Sequence, residues 1–468
     1  MNHTISKSDV YWGFLAQGLN VASGLLLLPI VLRYLLPEEV GLWFVFMSLA
    51  GMAQLLELGF QPTIARNVAY VYAGAQKLDA HGCVPNSTEH SPVNVKLLQQ
   101  LFWTARRIYL GVAAVAMLVL GIIGSIYVVT LLTPKMEMLH VVSIWLVFSF
   151  GYVINFYYGY FNGFLQGRGD VTATNKIVVA SRIVSILLAS ILLVMGFGLF
   201  GIAIASLISS LIGRFLASRL FWSGAGVEMA KMAKGKVSAD HSLLSILWPN
   251  ASRLGWVSLG GFLITRANIL IASSFLGLQD VASYGLTFQI LLTISGVANV
   301  ILNLNMPRLS GDQIRGRQDR VLESFGKSLA SAWLIFIIAS VFFIVFGGEM
   351  LQVIGSRTHL LSTSLMVVFA VVMFLEMNHS LCAAYLTTHN EIPFVRAALL
   401  SGFGIVIVSI TLVTVLHFGV WGLVLSQGMV QLAYNNWKWP IDAAKRMQHS
   451  FAYIMTNGFK ALWQARNV

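Results

Sequence analysis

About twelve long apolar stretches, joined by loops of sharply alternating charge, leave this chain of 468 residues few ways to fold. A helix that crosses a bilayer needs about 20 mainly apolar residues. Such stretches lie near 11–32, 40–58, 108–129, 141–163, 177–196, 198–218, 250–275, 281–304, 328–348, 361–386, 397–416 and 419–437. The N-terminus and every second loop after it hold most of the 30 Lys and Arg. They carry Lys7; Arg66, Lys77, Lys96, Arg106 and Arg107; Arg168 and Lys176; Arg214, Arg219, Lys231, Lys234, Lys236 and Arg253; Arg308, Arg315, Arg317, Arg320 and Lys327; Arg396; and Lys438, Lys445, Arg446, Lys460 and Arg466. The opposite loops hold Arg33, Lys135 and Arg357, while Arg182 and Arg266 lie inside spans. Basic loops stay cytoplasmic. The pattern predicts a multi-pass membrane protein with both termini in the cytoplasm and an even number of spans.

Composition enters where alternatives must be excluded. The chain is 57% hydrophobic and 10% charged, whereas a soluble domain carries about a quarter charged residues. A net charge of +12 raises the question of nucleic acid. The charge sits in short loops beside spans, where orientation and anionic headgroups account for it, so membrane lipids are the expected partner and nucleic acid is not. Cys83 falls in a cytoplasmic loop and Cys382 in a span, which argues against a disulfide between them. The apolar run from Leu25 follows a polar amphipathic lead and lacks a small-residue cleavage site, so it reads as a membrane helix rather than a signal peptide.

Faint internal echoes suggest two halves of six spans. Phe197-Gly198-Leu199-Phe200-Gly201 and Phe418-Gly419-Val420-Trp421-Gly422 open the sixth and twelfth spans with the same F-G-x-aromatic-G pattern. Leu35, Glu39, Val40 and Trp43 find counterparts in Leu276, Asp280, Val281 and Tyr284, and Asn155 in Asn378. An even number of spans per half makes the repeat parallel, with its axis along the membrane normal and a substrate path between the halves. The expected fold class is an all-α polytopic membrane protein of about twelve transmembrane helices in two six-helix lobes related by a pseudo-two-fold along the membrane normal. The lobes span residues 1–221 and 244–440, joined by a cytoplasmic linker at 222–243. The tail at 441–468 reads as an amphipathic helix on the inner leaflet, with Phe451, Ile454, Phe459 and Trp463 among Lys445, Arg446, Lys460 and Arg466.

Gly41-Leu42-Trp43-Phe44, then Leu55-Leu56-Glu57-Leu58-Gly59-Phe60, Pro62-Thr63-x-x-Arg66 and Tyr70-x-x-x-Gly74-Ala75, form a diffuse pattern that resembles the O-antigen flippases called Wzx. These belong to the polysaccharide-transport branch of the multidrug/oligosaccharidyl-lipid/polysaccharide exporter superfamily. The resemblance implies a twelve-helix, two-lobe transporter in a bacterial inner membrane, serving lipopolysaccharide biosynthesis. Its substrate would be an undecaprenyl-pyrophosphate-linked oligosaccharide, received in a cationic cavity and moved with a proton or sodium gradient as driver. It also implies polysaccharide polymerase machinery as a partner.

Such a substrate demands positive charge for the pyrophosphate and hydrogen-bonding groups for the sugars. Arg266, near the middle of the seventh span, is the leading candidate, since a charge at that depth is costly and usually functional. Its planar guanidinium suits bidentate phosphate binding; an ion pair with a neighbouring helix is the plainer reading. Arg182 and Arg253 lie near span ends, where snorkelling explains them equally well. Arg66 completes the basic candidates. Asn155, Tyr158 and Asn162 in the fourth span share one helical face suited to sugar rings. Asn20, Asn268 and Gln289 join them, each with the alternative of tying neighbouring helices together. Glu376 and His379 at mid-depth suit proton exchange or a fixed ion pair. Glu57 reads as a gate or structural ion pair. No cofactor is expected, since a phosphate-binding glycine loop with its Lys and zinc-ligand spacings are both missing from the sequence. The competing class on the same architecture is a small-molecule antiporter, for which acidic cavity groups would be the signature. A membrane polymerase or ligase would need a large external loop, and every external loop is short.

Overall fold

The computed structural model describes residues 7–79, 93–134, 136–224, 241–389 and 393–465, and every described element is helical. Among the described residues ten helices are long and apolar enough to cross a membrane, eleven if a bent pair counts as one span. Helix is the form that satisfies its own backbone polar groups in hydrocarbon. The protein is an all-α, multi-pass membrane protein. The chain divides into two compact units, Met1–Tyr34 with Phe46–Leu259, and Leu35–Val45 with Gly260–Val468. The linker expected at 222–243 and the polar loop from His81 to Pro92 lie largely outside the described residues.

The helices of the first part of the chain are α1 (Lys7–Tyr34), α2 (Pro37–Gln54), α3 (Phe60–Tyr72), α4 (Val95–Leu118), α5 (Ser125–Thr130), α6 (Met138–Tyr157), α7 (Tyr160–Arg168), α8 (Val171–Val194) and α9 (Gly198–Ser223). A π-helical stretch, Val119–Gly124, carries α4 into α5 as one span. Asn94 starts α4 by accepting the Leu97 amide at 3.0 Å, a typical N-cap. In the first unit α8 packs on α1 and α9, α9 on α6, and α3 on α7. Small residues permit the approach: a Cβ on Gly213 would sit 2.5 Å from Ser181 Oγ, and one on Gly167 would sit 2.4 Å from the Ala65 carbonyl. An aromatic cluster joins α4, α7 and α9, with Phe102 stacked on Phe221 at 5.3 Å and both in contact with Phe164.

The remaining helices are α10 (His241–Thr265), α11 (Ala267–Phe275), α12 (Leu278–Ile314), α13 (Gln318–Ile354), α14 (Thr363–Thr387), α15 (Val395–Thr414), α16 (Val420–Ala433), α17 (Asn435–Arg446) and α18 (Phe451–Ala465). The seventh span is broken: α10 and α11 meet at 43°, with Arg266 at the junction. Where the twelfth span is expected, at 419–437, α17 follows directly on α16, which has 14 residues and ends at Tyr434. Its end is fixed by Asn435, whose amide nitrogen donates to Ser401 Oγ at 2.8 Å and to Gln431 Oε1. Ile454, Met455 and Ala461 of α18 are buried, and the helix packs along α13, where Gly458 meets Gly326 backbone to backbone. Tyr453, Phe459 and Trp463 remain on the exposed side.

The two F-G-x-aromatic-G segments share a backbone reason. Gly198 and Gly419 both take positive φ, 54° and 55°, which favours glycine. Gly201 and Gly422 then pass close to the preceding helix, where an added Cβ would fall 2.8 Å from Leu192 and 3.0 Å from Leu412.

Candidate functional site

The first unit contains a polar cavity of about 480 Å³. Its wall is built from α6 (Tyr152, Asn155, Phe156), α8 (Ser181, Arg182, Ser185) and α9 (Ser206, Ser209, Ser210, Gly213, Arg214). Gln54, Glu57 and Gln61 close it from the α2–α3 junction, Tyr109 from α4, and Gly159 and Asn162 from the α6–α7 junction.

Two breaks in the backbone deliver these groups. Between α2 and α3, Leu58 and Gly59 take φ of 49° and 76° in succession. Positive φ is uncommon in leucine and costs on the order of 1 kcal/mol or more. The turn sets Glu57 and Gln61 on the cavity from opposite sides of the kink. A Cβ on Gly59 would lie 2.5 Å from the Leu254 side chain, so glycine is required there for conformation and for space. The second break, between α6 and α7, passes through Tyr158 and Gly159, and Gly159 faces the Tyr109 ring.

The polar groups form an ordered network on one side. Arg214 Nε donates to Asn155 Oδ1 at 2.8 Å, and Asn155 Nδ2 donates to Ser210 Oγ at 2.6 Å. Ser209 Oγ donates to the Ser181 carbonyl at 2.7 Å, tying α9 to α8. Across the cavity, Tyr109 donates its hydroxyl to Glu57 Oε1 at 2.7 Å, and Gln54 Nε2 donates to Glu57 Oε2. Arg214 and Glu57 attract each other electrostatically without reaching ion-pair contact. Two atoms are enclosed with no hydrogen-bond partner, Arg214 Nη1 and Asn162 Oδ1. The site therefore offers hydroxyls, amides and guanidinium N–H groups together, and its one carboxylate among the described lining residues is already engaged.

The structure brings four of the residues singled out from sequence, Glu57, Asn155, Asn162 and Arg182, onto this wall. Tyr158 lies outside it and is exposed, as are Arg66 on α3 and Arg253 on α10. The Asn20 side chain lies outside the described residues. Arg266 is half-buried at the α10–α11 bend, with its amide bonded to the Phe262 carbonyl at 2.8 Å. Asn268 has the contacts of the helix-tying alternative. It is fully buried, donates to the Leu423 carbonyl at 3.0 Å and accepts from Ser409 Oγ at 2.8 Å, so both amide ends are occupied by protein. Gln289 Nε2 donates to Thr293 Oγ1, one turn along α12. In the second unit His379 lies between Glu376, at 3.5 Å from Nε2, and Asn436, at 2.8 Å from Nδ1.

Arg214 and Tyr109 were missed in the sequence. Arg214 stands near the end of the apolar stretch 198–218, where it counts with the basic residues of the loop that follows; α9 runs on past it to Ser223. A signal was present. Ser206, Ser209, Ser210 and Gly213 recur at intervals of three and four, a small polar stripe on an otherwise apolar helix.

No family model matches the sequence, and no curated protein is similar to it. Solved structures are similar in fold. The lipid II flippase MurJ, in an inward closed conformation, aligns over 98% of this chain and 91% of its own, at TM-score 0.65 and 12% identity. An inward-facing multidrug resistance MATE family transporter of the MOP superfamily aligns over 96% of each chain at TM-score 0.60 and 15% identity. The chain has the MOP-transporter fold. A third, the MATE multidrug transporter DinF-BH, aligns over 96% of this chain and 97% of its own at TM-score 0.59 and 15% identity. These MOP-fold neighbours are transporters and flippases, and none is described as an enzyme.

Proposed function

We propose that this chain is a flippase that moves an undecaprenyl-pyrophosphate-linked oligosaccharide, an O-antigen or similar repeat unit, between the leaflets of a bacterial inner membrane. The direction is cytoplasmic to periplasmic, by alternating access drawing on a proton or sodium gradient. The observation that carries the reading is the wall of the first unit's cavity: serine hydroxyls, asparagine and glutamine amides, tyrosines and two arginines. Sugars present many hydroxyls, and a pyrophosphate is anionic. Both need such groups once they leave water, because an unpaired polar group in an apolar medium costs several kcal/mol. The polyprenyl tail needs no polar path, since hydrocarbon suits it.

The Glu376–His379–Asn436 cluster is the proposed coupling group, because an imidazole held between a carboxylate and an amide can take and release a proton as its surroundings change. A second reading, a cation-coupled antiporter of small molecules, is favoured by Glu57, a carboxylate on the same cavity, and by the MATE neighbours.

One strain background tests both. Expressed in bacteria lacking their own O-unit flippase, the chain restores surface polysaccharide and leaves susceptibility to cationic dyes unchanged. Dye resistance without surface polymer would replace the flippase with the antiporter.

A further inference from the structure

We infer that Arg214 and Asn162 form a subsite for an oxyanion flanked by a hydroxyl group, such as the phosphate of a sugar ester or the carboxylate of an acidic sugar. This rests on reading the cavity as part of a glycan route and specifies what two of its lining residues hold.

The argument starts from unused hydrogen-bonding capacity. A guanidinium has five N–H donors. At Arg214 only Nε has a protein acceptor among the described residues, Asn155 Oδ1 at 2.8 Å. Asn155 is fixed in turn by Ser210, so the guanidinium plane is held by a braced partner rather than free to rotate. The nearest candidate counter-charge, Glu57, takes its two hydrogen bonds from Tyr109 and Gln54 instead. Arg214 thus enters the cavity wall as a positioned cation with no carboxylate in ion-pair contact among the described residues, its Nη1 enclosed and without an acceptor. Planar donors of this kind match carboxylate and phosphate oxygens. Asn162, on the same wall, supplies the complementary gap: its Oδ1 is an enclosed acceptor with no donor. A ligand that fills both gaps carries an anionic oxygen for Arg214 and a donor for Asn162, and in a sugar acid or sugar phosphate that donor is a hydroxyl. At about 480 Å³, the cavity is within the usual size range of small-ligand pockets.

The test uses the full chain purified in lipid nanodiscs, with inorganic pyrophosphate, glucuronate, glucose and chloride as probes and calorimetric titration as the readout. Pyrophosphate or glucuronate binds; glucose and chloride bind at least tenfold more weakly. Arg214→Gln weakens the anion about tenfold or more, as loss of a charged hydrogen bond does, and Arg214→Lys recovers part of it. Asn162→Ala separates the two sources. It weakens glucuronate, which brings hydroxyl donors, and spares pyrophosphate. If Arg214→Gln does not fold, Arg214→Lys and Asn162→Ala still decide the matter. Equal binding of glucose and glucuronate, or anion binding unchanged in both Arg214→Lys and Asn162→Ala, would overturn the subsite. Restoration of surface polysaccharide by a chain that binds neither anion removes this subsite and leaves the flippase reading standing.

Discussion

Asn155 is the pivot of the cavity at the scale of single residues. Its carbonyl oxygen holds Arg214 and its amide nitrogen holds Ser210, so one side chain orients a cation and links α6 to α9. Asn155→Leu removes both partners while roughly keeping volume. Leaving a donor of Arg214 unpaired costs about 1–3 kcal/mol. The expected result is a lower thermal midpoint for the purified protein and lost transport, while Asn155→Asp, which keeps an acceptor for the guanidinium, retains more stability. An unchanged midpoint in Asn155→Leu would show that Arg214 finds another acceptor. Arg266 carries a different lesson. Depth in an apolar run marks a charge as unusual, yet sequence could not show that this one stands at a bend between two helices.

Elements in this chain are shaped by what interrupts them. Leu58-Gly59 turns α2 into α3 and brings Glu57 to the cavity. The residues of that turn belong to the Leu-Leu-Glu-Leu-Gly-Phe segment that carried the family resemblance, so part of the resemblance has a conformational cause. Length is the second factor. α12 and α13 have 37 residues each, about 55 Å, and overshoot the hydrocarbon core of about 30 Å. Charges gather where α12 ends and α13 begins, with Asp312 reached by Arg308 at 3.9 Å and Arg317 at 3.5 Å. α18 covers α13 near that end through the Gly326–Gly458 contact. A Cβ at 458 would lie 2.2 Å from the Gly326 carbonyl oxygen, so Gly458→Val should lift α18 away from α13. Limited proteolysis is expected to cut the C-terminal region faster in that variant. An unaltered digestion rate would mean that the pair can separate slightly at no cost.

Over the whole molecule, the alternation of basic and neutral loops predicts that both termini face the cytoplasm. Fusions of alkaline phosphatase to the C-terminus should be inactive and fluorescent-protein fusions bright; the reverse outcome would invert the orientation. Most of the architecture was legible because a bilayer enforces it residue by residue. A stretch must be apolar enough and long enough to cross, and that property is additive along the chain. Less legible were the α16–α17 junction and the α10–α11 bend, where Asn435, Gln431 and Ser401 or a break at Arg266 decide where a helix stops. Part of the cavity was legible for a related reason: Asn155 and Asn162 stand out against an apolar background. Arg214 and Tyr109 did not, since an arginine near a span end and a tyrosine in a membrane helix are ordinary features taken singly. By itself the sequence determined a helical membrane protein of many spans, because hydrophobicity and charge act locally. Tertiary structure alone decided which polar side chains share a cavity, which of them are engaged with one another, and that Arg214 is left with donors to offer, because those facts depend on distances between helices far apart in the chain.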